Sequence, residues 1–248
     1  EIIAVRLKKG GRLFYLGAGT SGRLGILDAV ECPPTFGTAP SLVQGVIAGG
    51  TDAVFHAQEG AEDSLTQAQE DLQVRGFCAA DVLCGVAASG RTPYVIGGLG
   101  YAKSLKAATI AVACTPDSPI AALADIAITA VTGPEVITGS TRLKAGTAQK
   151  IILNMLSTGT MIRLGKVYGN LMVDVKVSND KLKERARRIV MEATGKNLRE
   201  AEEALTKAAG SAKLAVFMLL ANLSAEEARV QLANADGYIG RALKGESS

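Results

Sequence analysis

The chain has 248 residues, enough for one sizeable domain or for a medium domain with a small appendage. Hydrophobic residues make up 48% of it and charged residues 21%, which is typical of a globular protein with a large core. A net charge of +3 and an aromatic fraction of 4%, without Trp, argue against nucleic-acid binding and against attachment to an anionic membrane. No apolar run approaches the roughly 20 residues that span a bilayer.

The cysteines and the single histidine argue against a metal site. Cys32, Cys78, Cys84 and Cys114 form no C-x-x-C pair, and His56 is the only histidine. A Cys/His metal site therefore lacks ligands, so we expect no metal and no cofactor. Thiols spaced in this way are typical of a reducing compartment, and we expect the protein to be cytoplasmic.

The first part of the chain alternates apolar runs with turns and helical stretches. Residues 1–10 predict the end of a helix that stops at Gly10. Four continuous apolar runs follow, "RLFYLGAG", "DVLCGVAAS", "ATIAVACTPDSP" and "DIAITAV". Such runs indicate strands that are buried on both faces, as in a parallel sheet covered by helices. We predict an α/β fold, a three-layer αβα sandwich with a central parallel sheet and with its ligands at the carboxyl ends of the strands.

The later part of the chain is helical. Residues 140–170 predict one long, largely apolar helix, and the sequence becomes charged after about Lys181. Gly210, Leu223–Ser224 and Gly237 divide the tail into three or four short helices, one of which begins with the capping box of Ser224 and Glu227. We predict one domain over residues 1–180 and a small C-terminal helical subdomain over residues 181–248.

The stretch "GAGTSG" has the G-x-G-x-x-G spacing of a dinucleotide-binding loop, at Gly17, Gly19 and Gly22. Such a loop requires an acidic residue about 20 positions further on, and no acidic residue occurs from 32 to 50. Thr20 and Ser21 instead place hydroxyls at the start of a helix, where free backbone N–H groups favour a monophosphate. The loop therefore predicts a phosphate site rather than a dinucleotide site.

A second loop repeats part of the first. Ser89-Gly90-Arg91 repeats Ser21-Gly22-Arg23 in the same strand–loop–helix context. Two hydroxyl-rich loops at neighbouring strand ends can converge on one phosphate, and we favour a phosphosugar site. The alternative is that both are ordinary β–α turns, which also favour Gly and Ser.

Longer motifs carry a resemblance to a known family. The two Ser-Gly loops, "CTPDSPIAALADIAI" and "GSTRLKAGTAQK" resemble the sugar isomerase (SIS) domain. Within that superfamily, "GAGTSGRLGILDAVECPPTFG", "AQEGAEDS", "ASGRTPYVIG", "GPEVITGSTRLKAGTAQK" and "RLGKVYGNLMVDV" resemble the N-acetylmuramic acid 6-phosphate etherases. The resemblance runs from about residue 10 to the C-terminus. The family has a further helical segment at the front, so we expect residues before Glu1.

The resemblance implies an activity and its partners. It implies a lyase that removes D-lactate from the 3-position of N-acetylmuramic acid 6-phosphate in cell-wall sugar recycling. It further implies a phosphorylated amino sugar as substrate, a reaction that requires no metal or redox cofactor, and an enzyme that works as a homodimer.

The same resemblance implies two catalytic glutamates, Glu31 in "ECPPT" and Glu62 in "EGAED". We assign Glu31 as the proton donor to the leaving oxygen and Glu62 as the base at C2, and we expect Glu31 to be a buried carboxyl that holds its proton. Without the resemblance, each glutamate is better interpreted as a solvated charge. On the sequence alone, Glu59 and Asp63 are as suitable for the role of the base as Glu62.

The expected substrate- and phosphate-binding residues are Thr20, Ser21, Gly22, Ser89, Gly90, Arg91, Thr92 and Lys144. For Lys144, the interpretation as a solvated lysine in the first turn of its helix is as good as the interpretation as a ligand of the sugar or its phosphate. For His56 we favour a hydrogen-bonded structural role over an acid or base that opens the sugar ring, and we expect Cys32 to serve packing.

Two other functions remain open. Glucokinase regulatory proteins resemble this sequence too, and they sense sugar phosphates with two SIS domains, whereas this chain has sequence for one. An aldose–ketose isomerase shares the proton abstraction at C2 but has no use for an acid at a leaving group on C3.

Overall fold

The computed structural model describes residues 1–175 and 180–246. The chain packs as two compact units. The sandwich unit comprises Glu1–Glu31 and Ala39–Thr158, and the helical unit comprises the described residues of Cys32–Thr38 and Gly159–Ser248. The packing boundary thus lies at 158, whereas composition suggested 180. The division into domains at residue 180 stays a prediction.

The sandwich unit is built on a five-stranded sheet in which every pairing is parallel. The strands are β1 Leu13–Gly17, β2 Val43–Ile47, β3 Val82–Val86, β4 Ala108–Ala113 and β5 Ile126–Thr129. Their order is β2-β1-β3-β4-β5. Every residue of β1, β3 and β4 is buried, as their continuous apolar runs predicted. For β5 the predicted burial on both faces is wrong, because β5 is an edge strand and its residues are exposed or half-buried. The short strand β2 was missed because only part of its run is apolar.

Helices flank the sheet and complete the predicted three-layer sandwich. They are α1 Ile2–Lys8, α2 Gly19–Phe36, α3 Asp52–Phe55, α4 Gln67–Val74, α5 Pro93–Ser104, α6 Pro119–Leu123 and α7 Lys144–Ile162. One side of the core contains Phe14, Leu16, Leu83 and Leu99, each fully buried. The predicted fold class is confirmed.

The long helix predicted over residues 140–170 is shorter in the structure. It runs from Lys144 to Ile162. It stops in a Schellman arrangement, because the backbone N–H of Lys166 bonds to the carbonyl of Met161 and that of Gly165 to the carbonyl of Ile162. Gly165 has φ +68°, the left-handed conformation that this ending requires.

The helical unit contains five helices in the described tail, where three or four were expected. They are α8 Asp180–Thr194, α9 Leu198–Lys207, α10 Ala212–Ala221, α11 Ala225–Asn234 and α12 Ile239–Lys244. The extra break follows Thr194, where Gly195 has φ +69° and Asn197 caps α9. The predicted capping box of Ser224 and Glu227 is confirmed at the start of α11. The helices pack around α10, in which Ala215, Val216 and Phe217 are fully buried.

No single helix of the described residues has the length and hydropathy of a membrane span. Only α9 and α10 taken together have them, and these two helices are bent by 112° relative to each other.

Candidate functional site

The two Ser-Gly loops leave adjacent strands at the same edge of the sheet. Strand β1 pairs directly with β3, and Gly17 at the end of β1 lies opposite Val86 at the end of β3. The first loop continues from Gly17 into α2, and the second continues from Val86 towards α5. Strand order therefore makes the loops neighbours, as the repeat of Ser-Gly-Arg led us to expect.

The glycine spacing of the first loop is explained by packing. A Cβ on Gly22 would lie 2.5 Å from the Ile47 side chain and 2.8 Å from the Gly17 carbonyl oxygen. A Cβ on Gly17 would lie 2.7 Å from the Gly22 nitrogen. The two glycines thus let α2 start against the ends of β1 and β2, which accounts for the pattern without any nucleotide.

Ser21 is buried in this loop and has a partner on another helix. Its hydroxyl donates to Oε1 of Gln149 on α7 at 2.9 Å. Gln149 is 1% exposed, and its Nε2 has no hydrogen-bond partner in the part of the chain that the structure describes. The neighbouring Thr20 is half-buried. A Cβ on Gly146, also in α7, would lie 3.4 Å from Thr20 Cγ2, so the first turns of α7 pack on the loop.

The second loop contains the other expected phosphate ligands. Ser89 and Thr92 are half-buried, and Thr92 is the N-cap residue of α5 without using its side chain for the cap. The backbone N–H of Arg91 donates to Ser89 Oγ at 3.3 Å, and the arginine is exposed. Gly90 has φ +64°, and a Cβ there would lie 2.2 Å from Cβ of the buried Ser118. Only glycine fits this turn.

A cleft of about 320 Å³ opens beside the first loop, on the β2 side. Its lining residues are Ala18, Gly19, Arg23, Ala48, Ala53, Ala57, Gln58, Glu59, Gly60, Ala61 and Glu62. Glu62 lies in a single 3-10 turn, Ala61–Asp63, and is exposed. The structure therefore brings Glu62 close to the first loop, and it brings Glu59 with it.

Glu31 lies elsewhere, and one expectation about it is wrong. It is exposed, although its sequence neighbours suggested a buried carboxyl. Successive residues of a helix point about 100° apart, so Cys32 is buried while Glu31 is not. Glu31 follows Ser21 by ten residues of α2, about 15 Å along the helix axis, and it does not line the cleft.

Lys144 lies at the start of α7, beside an acidic cap. The Glu135 carboxylate accepts hydrogen bonds from the backbone N–H groups of Lys144 and Ala145, each at 2.9 Å. These two bonds, first that from Ala145 and then that from Lys144, lower the pKa of Glu135. Lys144 itself is exposed, and its Nζ lies 4.0 Å from where a Cβ on Gly133 would stand.

His56 is exposed at the end of α3. Its imidazole makes no hydrogen bond to any residue in 1–175 or 180–246, so the expected hydrogen-bonded structural role is wrong. Within those same ranges no cluster of His, Cys, Asp or Glu has the grouping of a metal site.

Sequence reasoning missed three residues of this region. Arg23 was quoted within a repeated triplet and within a longer family motif but was not proposed as a site residue, and the triplet was the signal that could have found it. Gln149 and Glu135 lie in the quoted motif "GPEVITGSTRLKAGTAQK", but nothing in it distinguishes them, because their importance depends on the helix or loop that packs against them.

Family models define the class of the protein. The N-terminal SIS domain of glucokinase regulatory protein matches residues 1–103, and the SIS domain model matches residues 78–159. The C-terminal lid domain of glucokinase regulatory protein matches residues 169–213. A solved structure from Bacteroides fragilis, of a protein proposed to be a phosphosugar isomerase involved in capsule formation, superposes with a TM-score of 0.51 at 22% identity. That match covers 74% of this chain and 81% of the other, and it supports the fold alone. The chain is thus an SIS-domain protein with a helical region of the lid type.

Closer relatives narrow the class. N-acetylmuramic acid 6-phosphate etherase from Clostridium beijerinckii is 59% identical over 98% of this chain and 80% of its own. N-acetylmuramic acid 6-phosphate etherase 2 from Vibrio cholerae is 59% identical over 98% of this chain and 79% of its own. The etherase from Mycolicibacterium smegmatis is 57% identical over 98% of this chain and 82% of its own. The chain belongs to the N-acetylmuramic acid 6-phosphate etherase family.

Proposed function

We propose that this chain is a carbon–oxygen lyase that converts N-acetylmuramic acid 6-phosphate into N-acetylglucosamine 6-phosphate and D-lactate. The observation that carries this proposal is the 59% identity to a curated etherase over 98% of the chain. The reaction belongs to the recycling of cell-wall sugars.

The sugar phosphate binds at the edge where the two Ser-Gly loops lie side by side. Thr20, Ser21 and Gly22 contribute from the start of α2, and Ser89, Gly90, Arg91 and Thr92 contribute from the start of α5. Both helices begin here, so backbone N–H groups and helix dipoles favour a phosphate dianion. Lys144 adds a positive charge from α7, whose first turns pack on Thr20.

The chemistry is an elimination followed by an addition. In the ring-opened sugar, the base takes the C2 proton, and the electron pair forms the C2–C3 double bond. The bond between C3 and the ether oxygen breaks, and the acid gives its proton to the departing D-lactate oxygen. Water then adds across the double bond, its oxygen to C3 and a proton to C2. We assign Glu62 as the base, since it lines the cleft beside the first loop.

We assign Glu31 as the acid and propose that it acts in the site of a second copy of the chain. Its place about 15 Å along α2 from Ser21 supports this arrangement. Glu31 shares one side of α2 with Leu27 and Val30, which are 48% and 57% exposed. On α7, Ile151 and Met155 are 46% and 67% exposed.

These four exposed apolar side chains belong to one helix pair. Asn154 and Ser157 of α7 both donate to Asp28 of α2, at 2.6 and 3.0 Å, which fixes the two helices side by side. An exposed apolar face of this kind is typical of a symmetric dimer interface, and the proposed homodimer forms through it.

We further propose a cytoplasmic location. All four cysteines lie in the described residues; none of them forms a disulfide, and three are buried. Cysteines outside disulfides are typical of proteins that work in a reducing compartment.

The experiment that tests the function is incubation of the purified chain with N-acetylmuramic acid 6-phosphate. We expect equimolar D-lactate and N-acetylglucosamine 6-phosphate. A ketose phosphate as product would make the protein an isomerase and would overturn the proposal.

A sugar-phosphate sensor is the second candidate, and one observation favours it. Two models of glucokinase regulatory protein, its SIS domain and its lid domain, match this chain. A sensor would bind N-acetylmuramic acid 6-phosphate in calorimetry and release no D-lactate, so the same incubation separates the two functions.

A further inference from the structure

Among the described residues, Arg23 is the only cation whose side chain lines the cleft beside the first loop. It follows Gly22 on α2 and is half-buried. Its Nε donates to the backbone carbonyl of Val54 at 2.9 Å, which anchors one edge of the guanidinium to α3. Among residues 1–175 and 180–246, the two terminal nitrogens of Arg23 have no hydrogen-bond acceptor. A fixed guanidinium with unused donors therefore faces this cleft.

The charges around the cleft indicate the kind of group that this guanidinium binds. Glu59 and Glu62 line the same cleft, and neither forms an ion pair with Arg23. Two carboxylates would repel an anionic ligand unless a cation stood between. Arginine presents a planar pair of N–H donors that fits both oxygens of a carboxylate.

The order of the strands places the Arg23 guanidinium, and any group that it binds, apart from the proposed phosphate site. The two Ser-Gly loops lie at the ends of β1 and β3, whereas the cleft lies between the ends of β1 and β2. A ligand whose phosphate is bound by the two Ser-Gly loops could therefore reach with its other end into the cleft that Glu62 lines. The substrate of the proposed function has a second anion, the lactyl carboxylate, on the oxygen that leaves C3.

We propose that Arg23 binds the lactyl carboxylate of the substrate and so makes the site specific for an acidic ether over a neutral one. The inference rests on the proposed function and adds to it a specificity-determining residue. The Arg23 side chain also bonds to the Val54 carbonyl and so keeps α3 in place at the cleft wall. Removal of the Arg23 side chain therefore affects both the bond to Val54 and the proposed bond to the carboxylate, and the test must separate the two effects.

The test compares two substrates in wild type and in Arg23→Gln. The substrates are N-acetylmuramic acid 6-phosphate and its lactamide analogue, in which a carboxamide replaces the carboxylate. We expect wild type to prefer the acid in kcat/KM by about 10- to 100-fold, since a hydrogen-bonded charged pair contributes that much. Arg23→Gln should lose this preference, mainly through the acid substrate, while the amide substrate changes by less than about 3-fold.

Inhibition by N-acetylglucosamine 6-phosphate separates binding of the carboxylate from other roles. This product keeps the phosphate and lacks the lactyl group, so its inhibition constant should be the same in wild type and Arg23→Gln. A raised inhibition constant would mean that Arg23 binds the phosphate, and an equal loss with both substrates would mean that it only supports the fold. Either result overturns the proposal.

Two further variants complete the design. Arg23→Lys keeps the charge but cannot bond to Val54 and to both carboxylate oxygens, so we expect it to retain part of the preference. Arg229→Gln removes an exposed arginine of α11 and should behave as wild type. Absence of D-lactate release by wild type itself would instead refute the proposed function, so the two failures are distinguishable.

Discussion

The Ser21 hydroxyl donates to Oε1 of Gln149 over 2.9 Å, and both side chains are buried. In this arrangement the Ser21 proton points at α7 and not at a ligand. If the Gln149 amide turns by 180°, its Nε2 donates to Ser21 Oγ, and the Ser21 proton becomes available to a phosphate oxygen. In the proposed site, the orientation of the Gln149 amide would therefore determine whether Ser21 can donate to the phosphate.

Gln149→Glu tests this relationship. A carboxylate can only accept, so it would hold the Ser21 proton and add a negative charge near the phosphate. We expect KM for N-acetylmuramic acid 6-phosphate to rise by about 10-fold or more, with a smaller change in kcat.

Ser21→Ala is the companion variant, because it removes the same donor without placing a charge in the interior. We expect Ser21→Ala to raise the inhibition constant of N-acetylglucosamine 6-phosphate by about the same factor as Gln149→Glu raises KM. Tight inhibition of Ser21→Ala by that ligand would show that the Ser21 hydroxyl does not bind the phosphate.

Glu62→Gln should reduce D-lactate release by several orders of magnitude, because the amide cannot take the C2 proton. In deuterated water, Glu62→Gln should also stop exchange at C2 of the substrate. Glu31→Gln should block D-lactate release while the exchange continues, since the base remains. If Glu62→Gln still exchanges the C2 proton, Glu62 is not the base, and the assignment would pass to Glu59 or Asp63.

Mixed dimers test whether Glu31 acts in the partner's site. Glu31→Gln and Glu62→Gln chains are each expected to be inactive. After exchange of subunits, the mixed dimer would pair an intact Glu62 of one chain with an intact Glu31 of the other. Random mixing should then restore about a quarter of the wild-type activity. If both residues act within one chain, the mixture stays inactive, which would contradict the assignment across the interface.

Gly22→Ala should destabilise the protein, because the new methyl group would overlap the Ile47 side chain and the Gly17 carbonyl. We expect a loss of about 1–3 kcal/mol in the free energy of unfolding, measured by urea denaturation. Gly100→Ala is the matched control, since a Cβ on this exposed residue of α5 meets nothing within 4 Å. It should stabilise the protein by about 0.5–1 kcal/mol. Equal stability of Gly22→Ala and wild type would refute the packing explanation of the loop.

Much of the architecture could be predicted from the sequence alone. Continuous apolar runs identified β1, β3 and β4, because a strand covered on both faces has no polar side. The run of β5 also marked a strand, although this edge strand has no buried residue. The capping box of Ser224 and Glu227 was found because its bonds span only three residues. The repeat of Ser-Gly-Arg predicted neighbouring loops, and long motifs indicated the family that the comparisons establish.

Other properties depended on the tertiary structure. The exposure of Glu31 depends on which side of α2 is covered. The bond of Ser21 to Gln149, and the cleft that Arg23 and Glu62 both line, bring together residues that are far apart along the chain. Local patterns specify caps and turns because those interactions lie within a few residues. They indicate strands because the run of apolar side chains along a strand reflects how many of its faces are covered. Which side of a helix is covered, and which loops share a cleft, is determined by strand order and packing, so the chemistry of this site became visible only in the folded chain.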